Sequence, residues 1–201
     1  MKILGTGAEA TVFLATYLGF PAVVKRREPK KYRNEKLDEK IRFRRTKQEC
    51  FLLHAAKEAG VFCPAMLKVD KKNSEITMEF VAGKKAKLVL GKKNFKKICR
   101  QIGGEIGKLH SREMIHGDLT TDNLILRKGM VVFVDFGLGF FSKKTEDRAT
   151  DLLSLKKTFH ATHFSLKGGF EAVLAGYKKT APNAEQVIKT IAEIEARTRY
   201  S

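Results

Sequence analysis

The stretch that most restricts this chain runs from Met114 to Gly137 and reads MIHGDLTTDNLILRKGMVVFVDFG. A polar loop of His, Asp, Thr and Asn stands between apolar flanks. Such residues also fill ordinary turns, so the loop alone does not decide its role. Its downstream neighbours narrow the choice. Leu124 to Leu126, a Lys128-Gly129 turn and Val131 to Val134 predict a short hairpin. Asp135 ends its second strand, seventeen residues after Asp118. The chain must therefore fold so that a polar loop and a second carboxylate flank one hairpin.

The rest of the pattern sets the surroundings. Ile3 to Val24 alternates apolar residues with glycines and predicts two or three strands. Lys36 to Ala59 is rich in helix formers, with Glu49, Leu52, Leu53, Ala56 and Ala59 on one face and Gly60 as its stop. Met66 to Val69 and Glu75 to Val81 predict strands around a turn at Asp70 to Ser74. At Ala82-Gly83 the pattern changes. Phe95, Ile98, Cys99, Ile102, Ile106 and Leu109 recur at three- and four-residue steps, the buried face of a helix for which Asn94 is the expected cap. Helices then dominate. The last is announced by Asn183 and Gln186 at capping-box spacing, with Val187, Ile188, Ile191 and Ile194 facing inward. The fold class is α+β.

Composition bounds the partners. A length of 201 residues suits one substantial domain or two small lobes. No apolar run approaches the roughly 18 residues of a membrane span, and the N-terminus shows no secretory signal, so a soluble cytoplasmic protein without membrane contact is expected. Cys50, Cys63 and Cys99 form no C-x-x-C pair and read as buried thiols. Lys and Arg total 40 against 22 acidic residues, a net charge of +18. That excess favours polyanions such as RNA, although lysine-rich faces also serve solvation. None of the clusters at Lys25 to Arg33, Lys40 to Lys47 and Lys84 to Lys97 carries the aromatic interleaving of a single-strand platform.

Five separate pieces suit one chemistry, handling of a triphosphate and its cation. Gly5 and Gly7 open a G-x-G-x-x-A-x-V run through Ala10 and Val12, which by itself is equally a backbone device. Lys25 ends the strand Ala22-Val23-Val24, where an ammonium can neutralise phosphate oxygens. Glu49 heads the apolar face of the long helix and is the expected partner of Lys25, with Glu35, Glu39 and Glu58 as competitors. Asp118 is placed to accept or orient a hydroxyl. Asn123 and Asp135 offer the oxygen donors that Mg2+ prefers.

These motifs, H-G-D-L-x-x-x-N followed by V-D-F-G, resemble the protein-kinase-like superfamily. The resemblance implies a bilobal kinase-like fold, with a small strand-rich N-lobe with one long helix over 1–81 and a mainly helical, minimal C-lobe over 82–201. It implies that Gly5, Gly7, Ala8, Glu9, Ala10 and Val12 cover the phosphates of ATP and that Lys25 contacts them while Glu49 orients it. Asn123 and Asp135 would hold Mg2+, and Asp118 would be the catalytic base. Met78 to Val81 resembles the hinge, where the Glu79 carbonyl and Val81 amide would meet the adenine edge.

The sequence also departs from ordinary protein kinases. Thr120 and Thr121 occupy the loop where a Lys normally steadies the transferred phosphate, Gly117 stands where an Arg is usual, and no A-P-E segment comes after Gly137. Asp151 resembles the carboxylate that ties the catalytic loop from below; an exposed helix-start Asp is the alternative. Together these departures, with Tyr32-Arg33, Leu37-Asp38, Arg45 to Glu49 and the basic end Arg197-Thr198-Arg199, resemble the PRPK-type kinases, the atypical serine/threonine kinase and ATPase subunits of the KEOPS (EKC) complex. That family acts in threonylcarbamoyladenosine formation on tRNAs reading codons that begin with A. The resemblance implies a carbamoyl-transferring ATPase-fold subunit on the C-lobe, a small subunit on the N-lobe, and Arg197 and Arg199 as partner or RNA contacts, unless they are merely a solvated helix end. Asp122 departs from the Ser usual in that family. The alternatives are a small-molecule phosphotransferase of the aminoglycoside-kinase type and a catalytically idle RNA-binding scaffold.

Overall fold

The computed structural model describes residues 2–199, with the side chains of Thr198 and Arg199 outside the description. It opens with three antiparallel strands, β1 (Lys2–Thr6), β2 (Thr11–Tyr17) and β3 (Phe20–Arg26), joined by tight turns. The 24-residue helix α1 (Glu35–Glu58) comes next, and then β4 (Met66–Asp70) and β5 (Glu75–Glu79) complete a sheet of order β1-β2-β3-β5-β4. Asn34 caps α1 by accepting from the Leu37 amide. The helix ends in a Schellman arrangement: Gly60, at φ 72°, donates to the Lys57 carbonyl and Val61 to the Ala56 carbonyl.

Beyond residue 82 the protein is mainly helical. β6 (Lys84–Lys85), the single turn α2 (Ala86–Val89) and α3 (Phe95–Ser111) lead to β7 (Met114–Ile115) and the polar loop. The expected hairpin is present as β8 (Leu124–Arg127) and β9 (Met130–Phe133), with β6 added at its edge. β10 (Phe140–Phe141) pairs back onto β7, and α4 (Thr145–Thr162), α5 (Gly169–Tyr177) and α6 (Ala184–Arg199) finish the chain. One apolar core runs through both parts, from Leu52, Leu53 and Ile76 beside the sheet to Leu119, Phe133 and Phe136 among the helices.

Asn94 and Asn183 immediately precede their helices as expected, but neither has the usual capping geometry. Asn94 makes no side-chain bond to α3; its amide instead closes the preceding loop, accepting from Gly91 N and donating to Val89 O. Asn183 lies at φ 53°, outside the extended region a capping residue uses, and its carbonyl accepts from Val187 N. Short-range spacing suggested both caps; at Asn94 local loop closure takes the side chain instead. Ile188 and Ile194 are only partly buried, whereas Val187 and Ile191 are fully so.

The helical part depends on close backbone approach. A Cβ on Gly103 of α3 would stand 1.8 Å from the Val173 carbonyl of α5, and one on Gly176 of α5 would stand 1.9 Å from the Arg100 carbonyl. Glycine is required because backbone, unlike a side-chain tip, cannot swing aside. Replacing Gly103 by Ala must separate the two helices, and Gly103→Ala is expected to cost about 3 kcal/mol, the upper end for overpacking. A urea melt checks this.

Candidate active site

The site is assembled by a buried ionic chain. Lys25 Nζ, at the end of β3, lies 2.7 Å from Glu49 Oε1 and 2.6 Å from Asp135 Oδ1. Glu49 is the partner; it projects inward from α1, 1% exposed, with Leu52, Leu53 and Ala56 on the same face. Burial alone would lower the Lys25 pKa, but Glu49 and Asp135 outweigh it and raise it. Burial pushes Asp135 the other way, and the Lys25 ammonium holds its carboxyl below the usual range. Asp135 has a left-handed backbone, φ 63°, which Asp tolerates because its short side chain can bond locally; here Oδ1 accepts from Gly137 N at 3.2 Å.

Asp118 and Asn123 form the second unit. Asn123 Nδ2 donates to Asp118 Oδ2 at 2.8 Å and to the Asp118 carbonyl at 2.9 Å. With its nitrogen so used, the amide presents its carbonyl oxygen elsewhere. β8 and β9 set the spacing of this unit from Asp135, because Asn123 precedes the hairpin and Asp135 comes after it, and Val134 N donates to the Asn123 carbonyl across its open end.

The loop is held from below by Asp151 of α4. Its two oxygens accept the amides of His116 and Gly117, each at 2.9 Å, and Oδ2 also meets His110 Nε2 at 3.2 Å. His110 is fixed in turn by the Tyr177 hydroxyl. The exposed helix-start alternative for Asp151 is thereby excluded. Fully buried His116 bonds through Nε2 to the Val134 carbonyl and accepts at Nδ1 from Asp118 N. Burial holds its pKa below the ordinary value, in the neutral form.

The segment after Asp135 explains the missing Arg of the loop. Gly117 lies at φ 79°, and a Cβ there would meet the Leu138 carbonyl at 2.3 Å. Gly139 is held by the Gln48 side chain of α1, whose Nε2 donates to its carbonyl at 2.5 Å, and Phe140 and Phe141 pair with β7. No side chain fits at position 117 beneath so short a return.

Two adjoining cavities share Gly5, Val12, Lys25 and Asp135. One, of about 290 Å³, is walled by Val12, Val23, Met78, Val81 and Ile125, with Lys85 and Asp122 at its edge. The other, of about 420 Å³, lies under Gly5, Gly7, Ala8, Glu9 and Ala10 and reaches Arg27, Arg45 and Asp118. Glu9 carries an ionic role as well: Arg45 grips its carboxylate, Arg33 lies 3.9 Å away, and the Arg45 hydrogen bond lowers its pKa. Glu79 likewise holds Arg127 of β8 and the Ala65 amide with its side chain, while its own amide donates to the Ala65 carbonyl. Arg197 lies exposed, 3.4 Å from Glu146, away from both cavities; the Arg199 side chain falls outside the described residues.

Sequence reasoning missed Arg27, Gln48, Arg127 and the Asp122 pairs with Lys85 and Lys87 at 3.1 and 2.9 Å. Each is a polar residue whose partner lies far along the chain, so no local pattern marks it. Burial pushes the thiols of Cys50 and Cys63 up to about 11 and Cys99 to about 12, in line with inert thiols, though Cys50 is only half-buried.

Comparison with known proteins agrees with this geometry. Residues 1–164 match the protein kinase domain family. The KEOPS complex subunit Bud32 of Pyrococcus abyssi is 42% identical, the match covering all of this chain and 96% of that protein. A probable bifunctional tRNA threonylcarbamoyladenosine biosynthesis protein of Methanobrevibacter smithii is 43% identical, but this chain spans only 37% of its length. In three dimensions the Rio2 kinase of Chaetomium thermophilum, solved as an ADP/Mg2+–phosphoaspartate complex, superposes with a TM-score of 0.71 at 15% identity, covering all of this chain and 72% of the other, which shows a shared kinase-like fold.

The support beneath the loop has two measurable consequences. Asp151→Ala leaves the buried His116 amide and the Gly117 amide without their acceptor and His110 without its carboxylate, and a loss of about 3 kcal/mol of stability is expected in a denaturant titration. Because His116 stays neutral when folded, the unfolded chain takes up a proton near its ordinary value of 6.5 that the folded chain refuses. Its contribution is therefore present above that pH and is lost as pH falls below it, so His116→Asn should flatten the fall of the melting temperature between about pH 6.5 and 5.

Proposed function

Because this chain belongs to the protein-kinase-like family of Bud32-type KEOPS subunits, we propose that it binds Mg–ATP between its two parts and acts as an atypical kinase and ATPase supporting threonylcarbamoyladenosine modification of tRNA. One observation carries the reading: Lys25, Glu49, Asp118, Asn123 and Asp135, spread over 110 residues, converge on two joined cavities. The lobes divide at 81/82. Adenine occupies the apolar cavity against Met78 and Val81, with the backbone of Glu79 at its edge. The phosphates lie under Gly5 to Val12, near Lys25.

The donor set fits Mg2+. No group of three or more His, Cys, Asp or Glu residues able to hold a metal stands together among the described residues. Asn123 and Asp135 supply one oxygen donor each, the sparse protein share that Mg2+ takes when phosphate oxygens and water complete its shell. When bound, the cation offsets charge on the phosphates as the terminal group departs. Lys25 is kept charged by its carboxylates and faces the phosphates. Asp118, steadied by Asn123, orients the attacking hydroxyl or water and takes its proton. The short return after Gly137 leaves little platform for a peptide, which supports hydrolysis or restricted phosphotransfer over broad protein phosphorylation.

The relatives' names support a place in a KEOPS complex and in tRNA modification, and the placement of partners is carried over from the family resemblance. As a KEOPS subunit the chain docks a carbamoyl-transferring ATPase-fold subunit on its C-lobe and a small subunit on its N-lobe, and meets tRNA through basic faces and the Arg197–Arg199 end. No helix among the described residues is long and apolar enough to cross a membrane. A cytoplasmic location suits this role.

ATP consumption by the purified chain alone, then with the carbamoyl-transferring subunit, then with tRNA added, tests the proposal; no hydrolysis in any mixture would reject it. Asp135→Ala should abolish Mg-dependent hydrolysis while leaving RNA association within about twofold, as gel-shift titration would show. RNA affinity of the parent chain should fall at least about tenfold between 50 and 200 mM salt, since several counterions are displaced. A flat salt response would remove the basic faces as the contact.

A further inference from the structure

Arg27 stands just beyond β3, two residues after Lys25, and is 2% exposed. Its Nη2 lies 2.5 Å from Glu49 Oε2, and its Nη1 lies 3.4 Å from the Thr46 hydroxyl. Glu49 is therefore held at both oxygens, by Lys25 on one and Arg27 on the other. Arg27 also borders the larger cavity together with Lys25, Asp118 and Asp135, and its Nη2 lies 3.3 Å from where a Cβ of Gly137 would be. Its buried Nε has no hydrogen-bond partner, a cost that packing alone gives no reason to retain.

We propose that Arg27 is a positioning residue for the nucleotide chemistry: it supplies the counter-charge for Glu49, fixes that carboxylate in place, and so leaves the Lys25 charge available to phosphate. The charge count is decisive. Two cations, Lys25 and Arg27, face two carboxylates, Glu49 and Asp135, and the set is neutral. Once Asp135 turns to a bound cation, Lys25, Arg27 and Glu49 keep one net positive charge. Without Arg27, Glu49 would cancel Lys25 entirely. Held by Lys25 at Oε1 and by Arg27 at Oε2, the Glu49 carboxylate is also fixed in rotation. The loop lacks a Lys at Thr120, so this spared charge is the compensating one.

The inference rests on the nucleotide-binding reading, and the test separates the two. Equilibrium binding of ATP without Mg2+ and steady-state ATP hydrolysis are measured for the parent, Arg27→Gln, Glu49→Gln and the double variant. A parent chain that neither binds nor hydrolyses ATP overturns the nucleotide reading itself, and the proposal with it. With an active parent, Arg27→Gln is expected to bind ATP about tenfold more weakly and to lose tenfold or more in kcat/KM, Glu49→Gln, which removes the carboxylate that Arg27 offsets, to keep its ATP binding, and the double variant to bind ATP better than Arg27→Gln. Multiplicative losses, or Arg27→Gln with parent-level binding and hydrolysis, overturn the proposal. If Arg27→Gln does not fold, Arg27→Lys decides: a folded Lys variant within about threefold of the parent supports it, and a folded one that loses more than tenfold overturns it.

Discussion

One buried ammonium group organises this protein. Lys25 Nζ sits between carboxylates that arrive from 24 and 110 residues away, and those two contacts draw α1 and the strand end after the hairpin onto the sheet. Removing a Lys and a Glu from water is costly, and the cost is met only when every charge finds a partner at hydrogen-bond distance. That condition explains why the ionic chain extends past the pair, through Glu49 to Arg27 and through Asp135 to the amide of Gly137. The apolar face of α1 does the complementary work, placing Leu52 and Leu53 in the shared core so that Glu49 arrives already oriented.

The same economy governs the polar loop around Asp118. Asp151 accepts two consecutive amides, His116 braces the loop against Val134, and His110 with Tyr177 brace Asp151. A loop carrying function on a rigid underside is the usual division between scaffold and site. Here the rigidity is reached without an Arg beside Asp118, because the chain after Gly137 turns back at once and crosses over Gly117. A long regulated segment would have no room to settle where Leu138 and Gly139 lie. The two parts of the chain are also joined by direct bonds, Gln48 to the Gly139 carbonyl, the Phe133 amide to the Phe62 carbonyl, and Lys108 to the Gly60 carbonyl. Such ties favour a cleft whose geometry is largely set before a ligand arrives.

The surface shows what the linear pattern concealed. Along the sequence Phe43 is a lone aromatic within the Lys40–Lys47 cluster, yet on the outer face of α1 the exposed Phe43 and Phe51 stand among Lys40, Arg44 and Lys47, and Phe51 meets Phe141 from another element at 5.5 Å. Helical periodicity and chain return create that neighbourhood.

The sequence by itself determined the elements and the chemical vocabulary. Period-two and period-3.6 patterns marked the strands, α1, α3 and the hairpin, because those patterns are imposed by which face each local element must bury. The spacing of Asp118, Asn123 and Asp135 was legible for a similar reason: all three flank one hairpin, and their relation is local. Glu49 was recoverable because it continues an apolar face. Only the tertiary structure decided that Arg27 rather than solvent takes the second oxygen of Glu49, that Glu9 pairs with Arg45, and that the Asn94 side chain, at the N-cap position of α3, closes the preceding loop instead of bonding to the helix. It also decided that Gly103, Gly117 and Gly176 mark backbone contacts. A long-range ion pair or a near-touching backbone depends on where two distant segments meet in space, and nothing in either segment alone records that meeting.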